Sequence, residues 1–357
     1  MLALEPTETQ TENVQQLRDL RNEINQTYRA ASRSEALRDA VIRAAREMPP
    51  VLVPVEIEHN PIGKRTLVLC IADCHYGAEW TVRGLRGETL NRYNPEVFCE
   101  RMADLLQQVR AVLEKEQIGD VQLLLCGDSL DGMLRPSQLL KLRWGVVESC
   151  MRFSEYMAQW INALSEDATV SVCGVDGNHT ETRTLNSKRG EFPGENLEKV
   201  IFWFLFERLR TNPNVIVDAV TEQRKHISVQ GFNLLLTHGT DIKSLENAAK
   251  QAMLLYNEPI DYLICGHKHR EQEYVSGYTD QGNSVVVRVP SICGMDEYAQ
   301  RLGYGGKPGA LGMVLFLLMG TLYFFLGHMG QPEELLPEIR PYYIVVVLSI
   351  PIQSLFN

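Results

Sequence analysis

Apolar residues recur along this chain in two rhythms, one of period three to four and one of short unbroken runs. Val14, Leu17, Ile24, Tyr28 and Ala31, then Leu37, Val41 and Ala45, follow helical spacing among mixed charges, and Met48-Pro49-Pro50 stops them. This predicts an amphipathic helix behind a polar lead over residues 1–12 that reads as disordered. Its apolar stripe leaves three uses open: packing on the domain, pairing with a second copy in a homo-oligomer, or simple solvation. From about residue 64 to 290 the second rhythm takes over. TLVLCIAD (66–73), VQLLLCGD (121–128), TVSVCG (169–174), FNLLLTHG (232–239) and DYLICGH (261–267) read as buried strands. Helices are predicted near 95–117, 137–165 and 194–211, and EQEYVSGY and SVVVRVP read as antiparallel strands of a second sheet. Strands alternating with helices predict an α/β domain.

The end of the chain breaks character. Residues 308–332 hold no Asp, Glu, Lys or Arg, and LGMVLFLLMGTLYFFLG is almost wholly apolar; YYIVVVLSIPIQSLF (342–356) repeats the pattern. On length the first stretch could span a bilayer, whereas Pro351 interrupts the second. The alternatives are a buried β-hairpin turning near Gly320-Thr321 with a final strand after it, or an altered reading frame. Strand formers at Val314, Phe316, Tyr323, Phe324 and Phe325 favour the hairpin. The chain thus divides into a helical extension (1–60), a central domain (61–308) and an apolar tail (309–357).

Composition narrows the function. With 35 basic and 45 acidic residues the net charge is −10, so no broad basic surface is available to grip nucleic acid. Eight cysteines are scattered without a CxxC pair, which reads as reduced thiols. The N-terminus, MLALEPTETQTEN, is acidic and polar, unlike a secretory signal. Both point to the cytoplasm, the alternative being membrane association through residues 309–357.

Candidate chemistry lies at the strand ends. Asp73-Cys74-His75, Gly127-Asp128-Ser129-Leu130-Asp131, Gly177-Asn178-His179, Thr237-His238-Gly239 and Gly266-His267-Lys268-His269 each follow one predicted strand, and five of the chain's eight histidines fall in them. Ligands of open α/β sheets bind at the carboxyl edge, so motifs some 200 residues apart can converge there. Carboxylates, a carboxamide and imidazoles together suit Mn, Fe, Zn or Ni rather than a thiolate site.

The order D-x-H, G-D-x-x-D, G-N-H, H, G-H-x-H resembles the calcineurin-like metallophosphoesterase superfamily over about residues 66–290. The resemblance implies a four-layer αββα sandwich of two mixed β-sheets flanked by helices, here with an extra N-terminal helix. It implies two divalent ions, Mn²⁺ first with Fe, Zn or Ni as alternatives. Asp73, His75 and His269 would hold one, Asn178, His238 and His267 the other, with Asp128 bridging both. Two such ions sit about 3.5–4 Å apart and lower the pKa of a shared water to roughly 7, giving a bridging hydroxide that attacks phosphorus. Two ions (+4), two carboxylates (−2) and one hydroxide (−1) leave a formal +1 that attracts phosphate to an acidic protein. By the same resemblance His179 protonates the leaving group and Asp131 orients it. For Asp131 the alternative is a turn residue before Gly132.

Two departures bear on the substrate. Thr180, followed by Glu181, stands where relatives often carry an acid after GNH, and Gly132-Met133 replaces the Arg-Gly of phosphoprotein phosphatases. Phosphate contacts could come from Arg135, Arg183, Lys188 or Arg189, the alternative being solvated basic loops; Lys268 alternates away from the ligand face. The leading expectation is a phosphodiesterase acting on nucleic acid or nucleotides. The alternatives are a phosphomonoesterase on protein or small molecules, which the acidic charge favours, and a non-catalytic scaffold of the same fold. No expected ligand is lost, which speaks against the scaffold.

Overall fold

The computed structural model describes residues 65–327, except 133–135, 183–187, 189, 193, 281, 304–305 and 317–319, together with the single positions 22, 36, 43 and 48. The expected polar lead, most of the N-terminal helix, the run 342–356, and Arg135, Arg183 and Arg189 lie outside the described residues.

Thirteen described strands make two mixed sheets and a small ribbon. The first sheet has the order β13 (Gly320–Gly327), β12 (Gly309–Phe316), β1 (Arg65–Ile71), β4 (Asp120–Leu125), β5 (Thr169–Gly174), β6 (Val215–Val217). In it β1, β4, β5 and β6 run parallel, and β12 and β13 close the other side antiparallel. The second has the order β10 (Gln272–Thr279), β11 (Gly282–Arg288), β9 (Tyr262–Cys265), β8 (Phe232–Thr237), β7 (Arg224–Val229). Its inner strands β11, β9 and β8 are parallel, and β10 and β7 pair antiparallel at the edges. The ribbon pairs β2 (Trp80–Arg83) with β3 (Thr89–Tyr93).

The unbroken apolar runs follow from burial on both faces. Leu67, Leu69 and Ile71 of β1 pack with the helices, while Val68 and Cys70 turn to the second sheet and meet Leu234, Leu236 and Ile264. Leu235 and Leu263 point the other way, onto Ala248, Ala249 and Ala252 of a helix at Leu245–Tyr256. Helices, sheet, sheet and helix therefore form four layers. Helix α1 (Pro95–Glu116) offers Phe98, Met102, Leu105 and Val109 as its apolar stripe; Asn94 caps it by accepting from Val97 N (2.8 Å), and Pro95 opens the first turn.

The helices depart in part from the sequence expectation. The helix expected over 137–165 is a single turn, α2 (Pro136–Leu139), followed by α3 (Val146–Leu164). Between them the backbone is bonded elsewhere: Glu79 N donates to Lys141 O and Arg143 N to Gly77 O, both at 2.9 Å. Helix α4 (Leu197–Leu209) falls inside its expected range; Leu245–Tyr256 becomes α5, and α6 (Glu297–Arg301) is short. The apolar stretch after Pro308 is a pair of antiparallel strands, as the hairpin expectation has it, but Gly320 and Thr321 lie in the second strand, opposite Phe316 and Leu315, and not at its turn. β12 lies inside the first sheet, with Ala310 and Val314 toward the helices and Leu311, Met313 and Leu315 between the sheets. Among the described residues no helix is long and apolar enough to cross a membrane.

Candidate metal centre

The carboxyl ends of β1, β4 and β5, adjacent in one sheet, meet those of β8 and β9, adjacent in the other. The five motifs follow these five strands, which brings them together at one edge of the sandwich. The backbone turns sharply there. Of the eight described non-glycine residues with positive φ, five carry proposed ligands: Asp73 (50°), His75 (44°), Asp128 (54°), His267 (75°) and His269 (50°). Such conformations cost on the order of 1–3 kcal/mol each and gather at functional sites. Bonds between the loops hold them: His75 N donates to Asp128 O (3.0 Å) and Gly266 N to His238 O (3.1 Å). Gly177 is required by close approach, since a Cβ there would stand 2.2 Å from Asp128 N.

One group of side chains forms around Asp73. Its Oδ2 accepts from His267 N (2.8 Å), while Oδ1 is buried without a hydrogen-bond partner among the described residues. Oδ1 lies 3.5 Å from His269 Nε2 and 3.8 Å from His75 Nε2, and the two ring nitrogens are 3.2 Å apart. A second group forms around His238. Its Nδ1 donates to Cys126 O (2.9 Å), which fixes the ring's orientation and leaves Nε2 facing Asn178 Oδ1 and Asp128 Oδ2, each at 3.0 Å. His267 stands edge-on to His238, with ring centroids 5.1 Å apart. Asp128 lies between the groups, its Oδ2 also 4.0 Å from His75 Nε2.

Lone pairs gathered this closely repel unless a proton or a cation lies among them. Protons take that part in the ion-free chain. Burial alone would raise Asp73 and Asp128, yet both carboxyls are held well below the usual range, Asp73 chiefly by His269 and Asp128 chiefly by His238. His238 is pushed up to about 9: burial opposes its charge, and the Asp128 carboxylate outweighs burial. His267 is lowered to about 4, by burial and then by the charge of His238. The unpartnered Asp73 oxygen, the facing ring nitrogens and the mixed oxygen and nitrogen donors all fit divalent cations.

His179 stands beside these groups. Its ring lies 4.5 Å from that of His75, and its Nδ1 is 2.7 Å from Asp131 Oδ1. Its side chain is 18% exposed, against 4% for His75 and 3% for His238, so it is the more open imidazole of the three. Around this machinery lie residues that sequence reasoning missed. Gln138 Nε2 donates to Asp131 Oδ1 (3.3 Å) and lies 3.2 Å from His179 Nδ1. Glu198, fully buried at the start of α4, accepts from Ser129 N (2.9 Å) and Ser129 Oγ (2.8 Å), steadying the loop between Asp128 and Asp131. Burial pushes the Glu198 carboxyl up to about 7. Cys293 Sγ is 3.7 Å from His269 Nδ1, and Thr240 Oγ1 donates to Asn178 Oδ1 (3.3 Å). None of the four belongs to a recognisable motif; only their distance from the strand ends could have marked them. Lys188 is exposed, with its N–H bonded to Glu191 Oε2 (2.8 Å), and Thr180 is fully buried.

The chain is similar to several known proteins. The SPbeta prophage-derived protein YonJ of Bacillus subtilis is 29% identical over 305 residues, covering 84% of this chain and 73% of its own. Among solved structures, a dimetal phosphatase from Danio rerio is 12% identical with a TM-score of 0.40, covering 73% of this chain and 96% of the other. Vps29 complexed with zinc, from Entamoeba histolytica, is 13% identical with a TM-score of 0.34, covering 72% and 92%. A family model described as calcineurin-like phosphoesterase matches residues 66–271, which is more than half of the chain. By that match the chain belongs to the calcineurin-like phosphoesterase family and is a hydrolase acting on phosphoesters.

Proposed function

We propose that the enzyme is a phosphodiesterase that works with two divalent ions, and that nucleotides or nucleic acid are its substrate class. The observation that carries the reading is Asp128, a buried carboxylate placed between two clusters of donors. In this reading Asp73, His75 and His269 hold one ion and Asn178, His238 and His267 the other, with Asp128 shared. Mn²⁺ is the first choice, with Fe, Zn and Ni as alternatives that the same donors suit. When bound, the ions supply charge neutralisation for phosphoryl oxygens and an activated water.

The chain's own groups do the rest. Asp131 holds Nδ1 of His179, which leaves Nε2 to present a proton to the departing oxygen. Gln138 keeps the Asp131 carboxylate in place by donating to it. Gly132-Met133 after the second motif supports a substrate other than phosphoprotein. The net charge of −10 favours the second reading, a phosphomonoesterase on small molecules or protein. The eight cysteines, all free, support a reducing compartment, and we place the enzyme in the cytoplasm.

Metal analysis of the purified chain, with rates on bis-p-nitrophenyl phosphate and p-nitrophenyl phosphate, tests the reading. Two equivalents of metal and faster turnover of the diester are expected; a preference for the monoester would select the second reading. Asp128→Asn should cost more activity than Asp73→Asn, because Asp128 alone faces both clusters.

A further inference from the structure

A cavity of about 130 Å³ adjoins the centre on the side of His238. Asn178 and His238 border it inwardly, and Asp176, Glu181, Arg224 and Asp241 stand among its other walls. His75, Asp131 and His179 do not line it. We propose that this cavity is a subsite for the non-leaving arm of a phosphodiester, and that it takes an uncharged, donor-bearing group such as a sugar or a nucleobase. The proposal rests on the hydrolase reading above and gives its substrate class a shape.

Position is the first argument. The leaving group must meet His179, which packs against His75 and Asp131. The cavity opens beside the other donor cluster, around His238 and Asn178. A phosphomonoester has one organic arm, and that arm goes to the proton donor; a diester has a second, and the cavity lies where it would fall. Size is the next. Pockets that enclose a whole drug-sized ligand run to roughly 300–1,000 Å³, so this one holds a single ring or sugar.

Charge selects the chemistry of the arm. Three carboxylates and one guanidinium give the walls a formal −2, counting Asp176, Glu181 and Asp241 against Arg224. Arg224 is already engaged: it pairs with Asp241, and its Nη1 donates to the Tyr256 hydroxyl (3.2 Å). Asp176 accepts from Thr221 Oγ1 (2.7 Å), which leaves acceptor capacity, because an ionised carboxylate has about four lone-pair sites. Such walls attract hydroxyl and amine hydrogens and repel a second phosphate.

The test holds the leaving group constant and varies the arm. With the Mn²⁺-loaded full chain, thymidine 5′-(p-nitrophenyl phosphate) should exceed methyl p-nitrophenyl phosphate in kcat/KM by about tenfold or more, chiefly through KM, the scale of one well-filled apolar or polar pocket. Gln223→Trp, at the exposed rim of the cavity, should erase that advantage by filling the space. Asp241→Asn should release Arg224 and shift preference toward a thymidine ester that also bears a 3′-phosphate. Calorimetry adds a readout free of turnover: thymidine 5′-phosphate should bind more tightly than inorganic phosphate, and less so in Gln223→Trp. Equal kcat/KM for the two esters, or a preference that survives Gln223→Trp, would overturn the subsite while leaving the hydrolase reading intact. Failure of every p-nitrophenyl ester to react in metal-loaded protein would overturn that reading as well.

Discussion

His179 and His238 are both histidines of the same centre, and the proposed mechanism gives them opposite tasks that their surroundings suit. His179 has Nδ1 held by Asp131 and keeps an open face, whereas His238 is buried with Nδ1 tied to a backbone carbonyl and Nε2 turned inward. A proton donor and a metal ligand are thus told apart by which nitrogen is free and what it faces. His179→Ala should keep its metal but lose turnover by on the order of 10²–10⁴-fold. The loss should shrink for p-nitrophenyl esters, whose leaving group scarcely needs a proton; an equal loss for alkyl and aryl esters would contradict the proton-donor role. His238 makes a second prediction, on pH. In the ion-free chain it keeps its proton up to about pH 9, since Asp128 outweighs the effect of burial. Coordination needs the neutral ring, so affinity for Mn²⁺ should climb as pH rises toward 9, by about tenfold per unit for each proton displaced. Isothermal titration in buffers of differing ionisation enthalpy reads both the affinity and the protons released; an affinity that does not change with pH would refute the assignment. The same raised pKa stabilises the ion-free fold below the ordinary histidine value near 6.5, and that contribution is lost as pH rises through about 9.

Strand ends were the legible elements. β1, β4, β5, β8 and β9 announce themselves as apolar runs because both of their faces are buried, and each motif follows directly on its run. α5 was not read, since its buried stripe is three alanines and Leu254 and Leu255 lie exposed on the other side. Gln138, Glu198 and Cys293 were invisible for a different reason: each acts through a hydrogen bond or contact with a partner 7 to 69 residues away, which no local pattern encodes. β12 was ambiguous because a strand buried on both faces and a membrane span share a composition. Its place between β1 and β13 makes it testable. Met313 is fully buried between the sheets, so Met313→Ala should cost about 2–5 kcal/mol in urea unfolding, with the midpoint lowered and the slope unchanged. A peripheral tail would give a change within about 0.5 kcal/mol, the range of ordinary surface substitutions.

At the scale of the whole molecule, ions bound as proposed would clasp the two sheets together. Asp73, His75, Asp128 and Asn178 come from the first sheet's edge, and His238, His267 and His269 from the second's. Both sheets share the apolar layer that runs from Val68 and Leu124 to Leu236 and Ile264, so they should melt as one body. An ion held by donors from both sheets requires the two edges to be in register, and the unfolded chain offers no such arrangement. Binding therefore adds to folding stability by mass action, about 2.7 kcal/mol at a free concentration one hundred times Kd. For a chain of 357 residues, at about 1.3 °C per kcal/mol, that amounts to roughly 4 °C in Tm. Scanning calorimetry should show one transition that rises by this amount with Mn²⁺ and falls back on chelation. Asp128→Asn should lose most of the increment, because its carboxylate faces both donor clusters, whereas His179→Ala should retain it. Two separate transitions would show that the sheets unfold independently despite their shared apolar layer, and an increment that Asp128→Asn leaves intact would refute the shared role of its carboxylate.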